Sequence, residues 1–383
     1  MKARRHLLAI FVFAGVVVVL LGSSAAAAAP PGRWLPAASM PAPSSEPTAT
    51  LLDDGRVLVL DGSSSESAAS VYDRRSDSWA SAGSVAAGPE HTATLLRNGK
   101  VLVVGAAGAM LYEPATNSWS AAGAMATPRS GHTATLLADG EVLVTGGGSL
   151  LLGELDSSEI YDPRSNTWHT AASLPWKVSD HTATRLANGE VLVAGGLRAV
   201  TPFLVAPQRA AELYDPASDS WTATGSLATQ RFNHRAVLLR SGRVLVVSGC
   251  PFEGVSCVQP IAPELYDPAT GTWSPAGTPI QPIRSHPSAT LLRDGEVLVA
   301  GGFSPSSCGS SESDASAEVY GPIANDWRET SSLSTGRGNH AAVRLVTGRV
   351  LVVGGVHLTA TPEGLTCASE STSLASAEIY AIG

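Results

Sequence analysis

His132-Thr-Ala-Thr-Leu-Leu-Ala-Asp-Gly-Glu-Val-Leu-Val-Thr-Gly-Gly147, followed by Ile160-Tyr-Asp-Pro-Arg-Ser-Asn-Thr-Trp168, decides the fold. It reads as two short apolar strands joined through Asp-Gly, a third strand ending in tyrosine and a fourth opening on tryptophan. Asp-Gly and Asn-Gly supply the positive φ angles of a two-residue turn, so a tight hairpin is expected. The same unit returns along the chain: Thr48–Gly62, His91–Gly105, His181–Gly196, His234–Gly249, His286–Gly302 and His340–Gly355 turn around Asp54-Gly55, Asn98-Gly99, Asn188-Gly189, Ser241-Gly242, Asp294-Gly295 and Thr347-Gly348. That makes seven copies.

The second half of the unit is as regular. Tyr72, Tyr112, Tyr161, Tyr214, Tyr266 and Tyr320 each stand seven residues before Trp79, Trp119, Trp168, Trp221, Trp273 and Trp327. Tyr380 has no tryptophan after it, and Trp34 has no strands before it. If Trp34's strand completes the sheet that Tyr380 leaves open, the two ends meet in one sheet and the ring is shut. The tryptophans recur every 40 to 54 residues, the period of a four-stranded blade.

These features resemble the kelch-repeat family. The resemblance rests on Gly146-Gly147, Gly195-Gly196, Gly301-Gly302 and Gly354-Gly355 closing second strands, on Tyr-Asp-Pro in the third strand region and on Trp in the fourth. Three copies depart at the diglycine, with Asp61-Gly62, Gly105-Ala106 and Ser248-Gly249, and Gly321 replaces the Asp after Tyr320. The resemblance implies an all-β, seven-bladed kelch-type β-propeller closed by an N-terminal strand. Blades are expected at about 48–84, 91–125, 132–174, 181–227, 234–279, 286–333 and 340–383 plus 33–38, in one domain spanning 30–383.

In a four-stranded meander the 1–2 turns share a face with the 3–4 loops, whereas the 2–3 loops share the other face with the links between blades. The 2–3 connections lengthen through Gly196–Tyr214, Gly249–Tyr266, Gly302–Tyr320 and Gly355–Tyr380. Long variable loops on a rigid scaffold are where binding resides. The candidate ligand-binding residues on that face are Trp176, Arg198, Phe203, Phe252, Phe303 and His357, of which Trp176 is the one tryptophan outside the repeat.

Recurring polar residues read as structural. A His opens the first strand at His91, His132, His181, His234, His286 and His340, too widely spread around a channel for one metal ion, and is expected to bond the adjoining loop backbone. Glu159, Glu212, Glu264, Glu318 and Glu378 share a strand face with their tyrosines and need partners, for which Arg129, Arg231, Arg284 and Arg337, or the His, are the candidates.

Met1-Lys-Ala-Arg-Arg, the apolar run to Leu21 and the alanines to Ala29 have the layout of a signal peptide over 1–29, so a secreted or cell-surface protein is expected. Without that segment the chain carries 22 basic and 33 acidic residues, a balance unsuited to nucleic acid or anionic membrane. In an oxidising compartment the four cysteines suggest disulfides Cys250–Cys257 and Cys308–Cys367.

The functional expectation is a monomeric binding module for protein or carbohydrate, with no cofactor, no metal and no catalytic residues. The alternative is a secreted oxidoreductase or other carbohydrate-active enzyme. The galactose oxidase and glyoxal oxidase kind of kelch propeller implies copper held by two tyrosines and two histidines with a Cys–Tyr crosslink. Here all seven tyrosines are assigned to repeat positions. No P-loop and no Gly-x-Ser-x-Gly elbow is present.

Overall fold

A computed structural model describes residues 32–149, 152–201, 204–251, 260–306, 311–363 and 366–382, without the side chains of 362, 363, 366 and 367. Seven four-stranded antiparallel sheets make up its frame. Blade 1 is Thr48–Leu51, Val57–Leu60, Ser67–Asp73 and Ser78–Val85, and five further blades repeat that order. Blade 7 is Ala341–Arg344, Val350–Val353 and Ala377–Ala381, with Arg33–Ala37 as its fourth strand. Trp34 stands directly across from Tyr380, as the spacing of aromatics predicts.

Each first strand touches the first strands of both neighbouring blades, and Ala341–Arg344 touches Thr48–Leu51, so the ring closes. Second strands such as Val57–Leu60 and Val142–Thr145 are buried at every residue. They read as unbroken apolar runs because a neighbouring blade covers each face. The core accordingly lies between blades: Leu58 and Leu60 pack with Val101 and Val103 of blade 2, while Val57 and Val59 pack with Leu351 and Val353 of blade 7.

The hairpins differ from the two-residue expectation. In blade 1 the Gly55 N–H donates to Leu52 O at 3.0 Å and the Leu52 N–H to Arg56 O at 2.8 Å. Gly55 has φ 87°, and Asp54 is absent from the positive-φ residues. This is a type I turn closed by a left-handed glycine bulge, a three-residue loop. Only the glycine is conformationally demanding, which is why Ser241 and Thr347 are tolerated where other copies carry Asp or Asn.

The Tyr–Trp pairs join the blades. The rings pack with centroids 5.0–5.1 Å apart across strands 3 and 4. Each indole N–H donates to a carbonyl of the preceding blade, from Trp79 to Ala38 O (2.8 Å) through Trp168 to Ala122 O (2.6 Å) to Trp34 on Ser331 O (2.7 Å).

Candidate functional site

The 2–3 connections rise as ribbons on one face. Val356–Glu363 pairs with Thr366–Ser373 in blade 7, Phe303–Pro305 with Ser311–Ser313 in blade 6, and Leu197–Thr201 with Leu204–Pro207 in blade 4. Bridges Ser130–Gly148, Phe232–Cys250, Ser285–Phe303 and Gly338–Val356 tie the ribbons' bases to the links between blades. Links and ribbons therefore share a face, as the meander geometry requires.

On the ring axis of this face lies a cavity of about 440 Å³ to which all seven blades contribute residues. Its rim is the residue two places before each first strand: Glu46, Glu90, Gly131, Asp180, Asn233, His286 and Asn339. Glu90, Gly131, Asp180, Asn233, His286 and Asn339 all take φ of 52–61°. Asp180 N–H donates to Gly131 O at 3.0 Å and Asn339 N–H to His286 O at 3.3 Å, so the rim backbones link one to the next. The sequence reading missed this rim, because its residues differ in type from blade to blade and share only their place two residues before the first strand.

The histidine series needs one correction. His286 sits in the rim register, and Pro287 occupies the place that His132 or His340 takes in its own blade. The trace in the sequence is that His286 to Gly302 is one residue longer than His132 to Gly147. The true set bonds chiefly to a hydroxyl of the preceding blade rather than to loop backbone. His91 Nε2 meets Thr48 Oγ1 at 2.9 Å, His132 meets Thr92 at 2.9 Å, His181 meets Thr133 at 3.0 Å, His234 meets Thr182 at 3.0 Å and His340 meets Ser288 at 2.9 Å. His91 also bonds Gly88 O through Nδ1. Burial holds these imidazoles neutral, lowering His132 and His340 to about 3 and His181 to about 4.

The repeated carboxylates are structural. Arg129–Glu159 (2.8 Å), Arg231–Glu264 (2.5 Å), Arg284–Glu318 (2.8 Å) and Arg337–Glu378 (3.1 Å) are buried ion pairs. Glu159 also accepts the N–H groups of Ala126 and Thr127. In blade 4 Val178 replaces the Arg and Pro175 replaces the first of those donors, and burial raises Glu212 above the usual carboxylate range.

Most of the ribbon candidates serve the scaffold. Trp176 is half-buried against Leu174, Val178 and Val193 of blade 4 with its Nε1 inside, so it covers its own loop instead of offering an exposed ring. Phe303 lies edge-on to His286 at 5.7 Å and over Gly338. His357 Nδ1 bonds Gly336 O at 2.7 Å. Arg198 alone of the described candidates is exposed. Phe203, Phe252, Cys257, Cys308 and the Cys367 side chain fall outside the described residues. Cys250 is buried and disulfide-bonded.

What remains around the axis is a polar, asymmetric mouth. Glu46, Glu90 and Asp180 supply carboxylates from blades 1, 2 and 4, while Asn233, His286 and Asn339 supply amides and an imidazole from blades 5 to 7. Arg235 projects from the first strand of blade 5, where Thr48, Thr92, Thr133, Thr182, Ser288 and Ala341 stand elsewhere. Desolvation, then Glu90, Glu154 and Glu46, raise Asp180 to about 7 against the opposing pull of Arg235. Desolvation, then Glu90 and Asp61, raise Glu46.

The residues present do not fit a two-tyrosine copper centre. Every tyrosine sits at the far end of its sheet, across from the first residue of the second strand, as in Val142–Tyr161 and Val297–Tyr320. Their hydroxyls are held there, Tyr72 by Asp77 (2.8 Å), Tyr161 by Asn166 (2.7 Å) and Tyr380 by Thr330 (2.7 Å).

The Kelch motif family model matches residues 128–175. A solved fungal alcohol oxidase of the AA5 family, in complex with copper, superposes with a TM-score of 0.71 at 17% identity, covering 92% of this chain and 76% of that one. No curated protein matches. The motif in blade 3, the sheet order and the structural match agree: the chain has the fold of a kelch-type β-propeller.

Proposed function

We propose that the protein is a secreted or cell-surface binding module that takes a polar ligand, a carbohydrate or a segment of a protein, at the axial mouth on its ribbon face. The observation that carries this reading is the cavity itself, a 440 Å³ space lined from seven blades by carboxylates, amides, an imidazole and Arg235. Pockets of roughly 300–1,000 Å³ with a few convergent polar groups are the usual form of a small-ligand site. Carbohydrate is favoured over a flat protein partner because the polar groups converge in a concavity. The alternative, an oxidase like the fungal neighbour, is disfavoured by the placement of the tyrosines.

Arg235→Ala tests the site, since Ala341 shows that the repeat accepts alanine at this position. A glycan array and a pull-down from culture medium, run with wild type and variant, should give ligands that the variant loses by about tenfold or more. Ligands retained in full by the variant would move the site off the axis. Bound copper with peroxide release on sugars or alcohols would replace the binding reading with the enzymatic one.

A further inference from the structure

Blades 2 and 4 turn on Asn98-Gly99 and Asn188-Gly189, whereas blades 1, 3 and 6 carry Asp54, Asp139 and Asp294 at the same place. The Asp and Asn side chains do one job there: Oδ1 accepts the backbone N–H two residues on. Arg56 donates to Asp54 at 2.9 Å, Glu141 to Asp139 at 3.0 Å and Glu296 to Asp294 at 3.0 Å. Lys100 donates in the same way to Asn98 at 3.2 Å, and Glu190 to Asn188 at 3.1 Å. An aspartate formed from either asparagine therefore fits its turn without rearrangement.

That exchange is open to chemistry the chain carries itself. A glycine leaves its amide nitrogen unshielded, so this nitrogen can attack the carboxamide carbon of the asparagine before it. The bond from Gly N to Asn Cγ forms, Nδ2 leaves as ammonia with the amide proton, and a five-membered succinimide results. Water then opens either carbonyl, giving aspartate or isoaspartate, and no oxidant or reductant takes part. During the attack negative charge gathers on Oδ1, the atom that the N–H of Lys100 or Glu190 already faces. Each turn thus holds a placed donor for the oxyanion.

The two sites differ at the leaving group. Asn188 Nδ2 donates to Glu190 Oε2 at 2.6 Å, which pins the carboxamide and sets a carboxylate beside the carbon where negative charge would build. Among the described residues no hydrogen bond holds Asn98 Nδ2; the residue matching Glu190 is Lys100, whose ammonium lies 3.5 Å from Glu113. Both asparagines are exposed, and both glycine N–H groups are restrained alike, Gly99 by Leu96 O at 3.0 Å and Gly189 by Leu186 O at 3.1 Å. The nucleophile therefore does not separate the sites, and the carboxamide does.

We infer that Asn98 is a site of spontaneous deamidation in the folded protein, with water as the co-reactant, and that Glu190 protects Asn188 from the same reaction. The product adds a negative charge to the turn face, opposite the ribbons and the axial mouth.

Peptide mass spectrometry of the full chain tests it, following both asparagines over weeks in mildly alkaline buffer, folded and in denaturant. Denaturant removes the turn hydrogen bonds, so the ratio of Asn98 to Asn188 conversion there is the intrinsic one. The folded ratio should exceed it by about fivefold or more. Glu190→Lys, a residue that Lys100 shows this turn accepts, should bring the folded ratio to within about twofold of the intrinsic one. Asn98 left intact in the folded protein while it converts in denaturant overturns the inference. So does a folded ratio equal to the intrinsic one, or a Glu190→Lys variant in which Asn188 stays slow.

Discussion

Trp34 and Tyr380 face each other across the seam of blade 7, ring centroids 5.1 Å apart, with the Trp34 indole bonded onward to Ser331 O of blade 6. One residue thus completes a sheet and ties it to its neighbour. Trp34→Ala should cost about 3–5 kcal/mol, the usual range for truncating a packed aromatic. Denaturant unfolding of the variant reads this directly, and a loss below about 0.5 kcal/mol, the scale of ordinary surface substitutions, would mean that the seam does not hold the ring.

The buried ion pairs make a contrast within one chain. Arg337→Met leaves Glu378 charged, buried and without its partner, and should cost about 3–5 kcal/mol, much of it recovered by adding Glu378→Gln. Glu212 already lives without an arginine. Glu212→Gln should therefore change stability by no more than about 0.5 kcal/mol, measured by the same unfolding experiment.

The diglycine has a specific cause. Gly301 has φ 64°, and a Cβ there would stand 2.5 Å from Arg337 O and 2.7 Å from His340 Cε1 of the next blade. Gly301→Ala should cost more than about 2 kcal/mol, combining the left-handed penalty with overpacking. Ser248 holds the matching place in blade 5 at φ 61°, where the next blade presents Pro287 in place of a histidine. Ser248→Gly should be neutral or stabilising by up to about 1 kcal/mol.

Acid should destabilise the ring. His132, His181 and His340 have folded values of about 3 to 4 against 6.5 for a free imidazole, so the unfolded chain binds more protons between those limits. Stability from these groups is complete above pH 6.5 and is lost as pH falls toward 4. Asp180 acts oppositely. Its folded value of about 7 lies above 3.8, so the ring gives up stability as pH rises through that window. Melting curves from pH 4 to 8 should show Asp180→Asn equal to wild type at the acid end and more stable than wild type at pH 8. A variant less stable at pH 8 would contradict the unpaired state of the mouth carboxylates.

The cysteine pairs Cys250–Cys257 and Cys308–Cys367 are open to peptide mapping without reduction. Cross-linked peptides of those two compositions are expected, and free thiols at all four positions would reject both.

The repeat was legible because it is built from residues with one physical use each: an apolar second strand, a turn glycine, a Tyr–Trp pair. Closure was legible for the same reason, Trp34 being the aromatic that Tyr380 lacked. The mouth was harder to read. Its rim position carries Glu, Gly, Asp, Asn and His in different blades, so no pattern of residue type marks it; what those residues share is a left-handed backbone and a place on the axis. His286 reads as one of the strand-opening histidines because a histidine can stand at either register, and the shift shows only as one extra residue between it and Gly302. In the sequence Trp176 reads as a ligand platform because it stands outside the repeat; in the structure it packs with Leu174, Val178 and Val193, Val178 standing where other blades carry the arginine.

The seam in blade 7 also fixes when the molecule can mature. Arg33–Ala37 is synthesised long before its partner and stays unpaired until Ala377–Ala381 has left the ribosome. Six sheets can assemble before that moment, yet the last one latches only once Ala377–Ala381 is present, so products truncated before it carry an open edge that proteases and aggregation can reach.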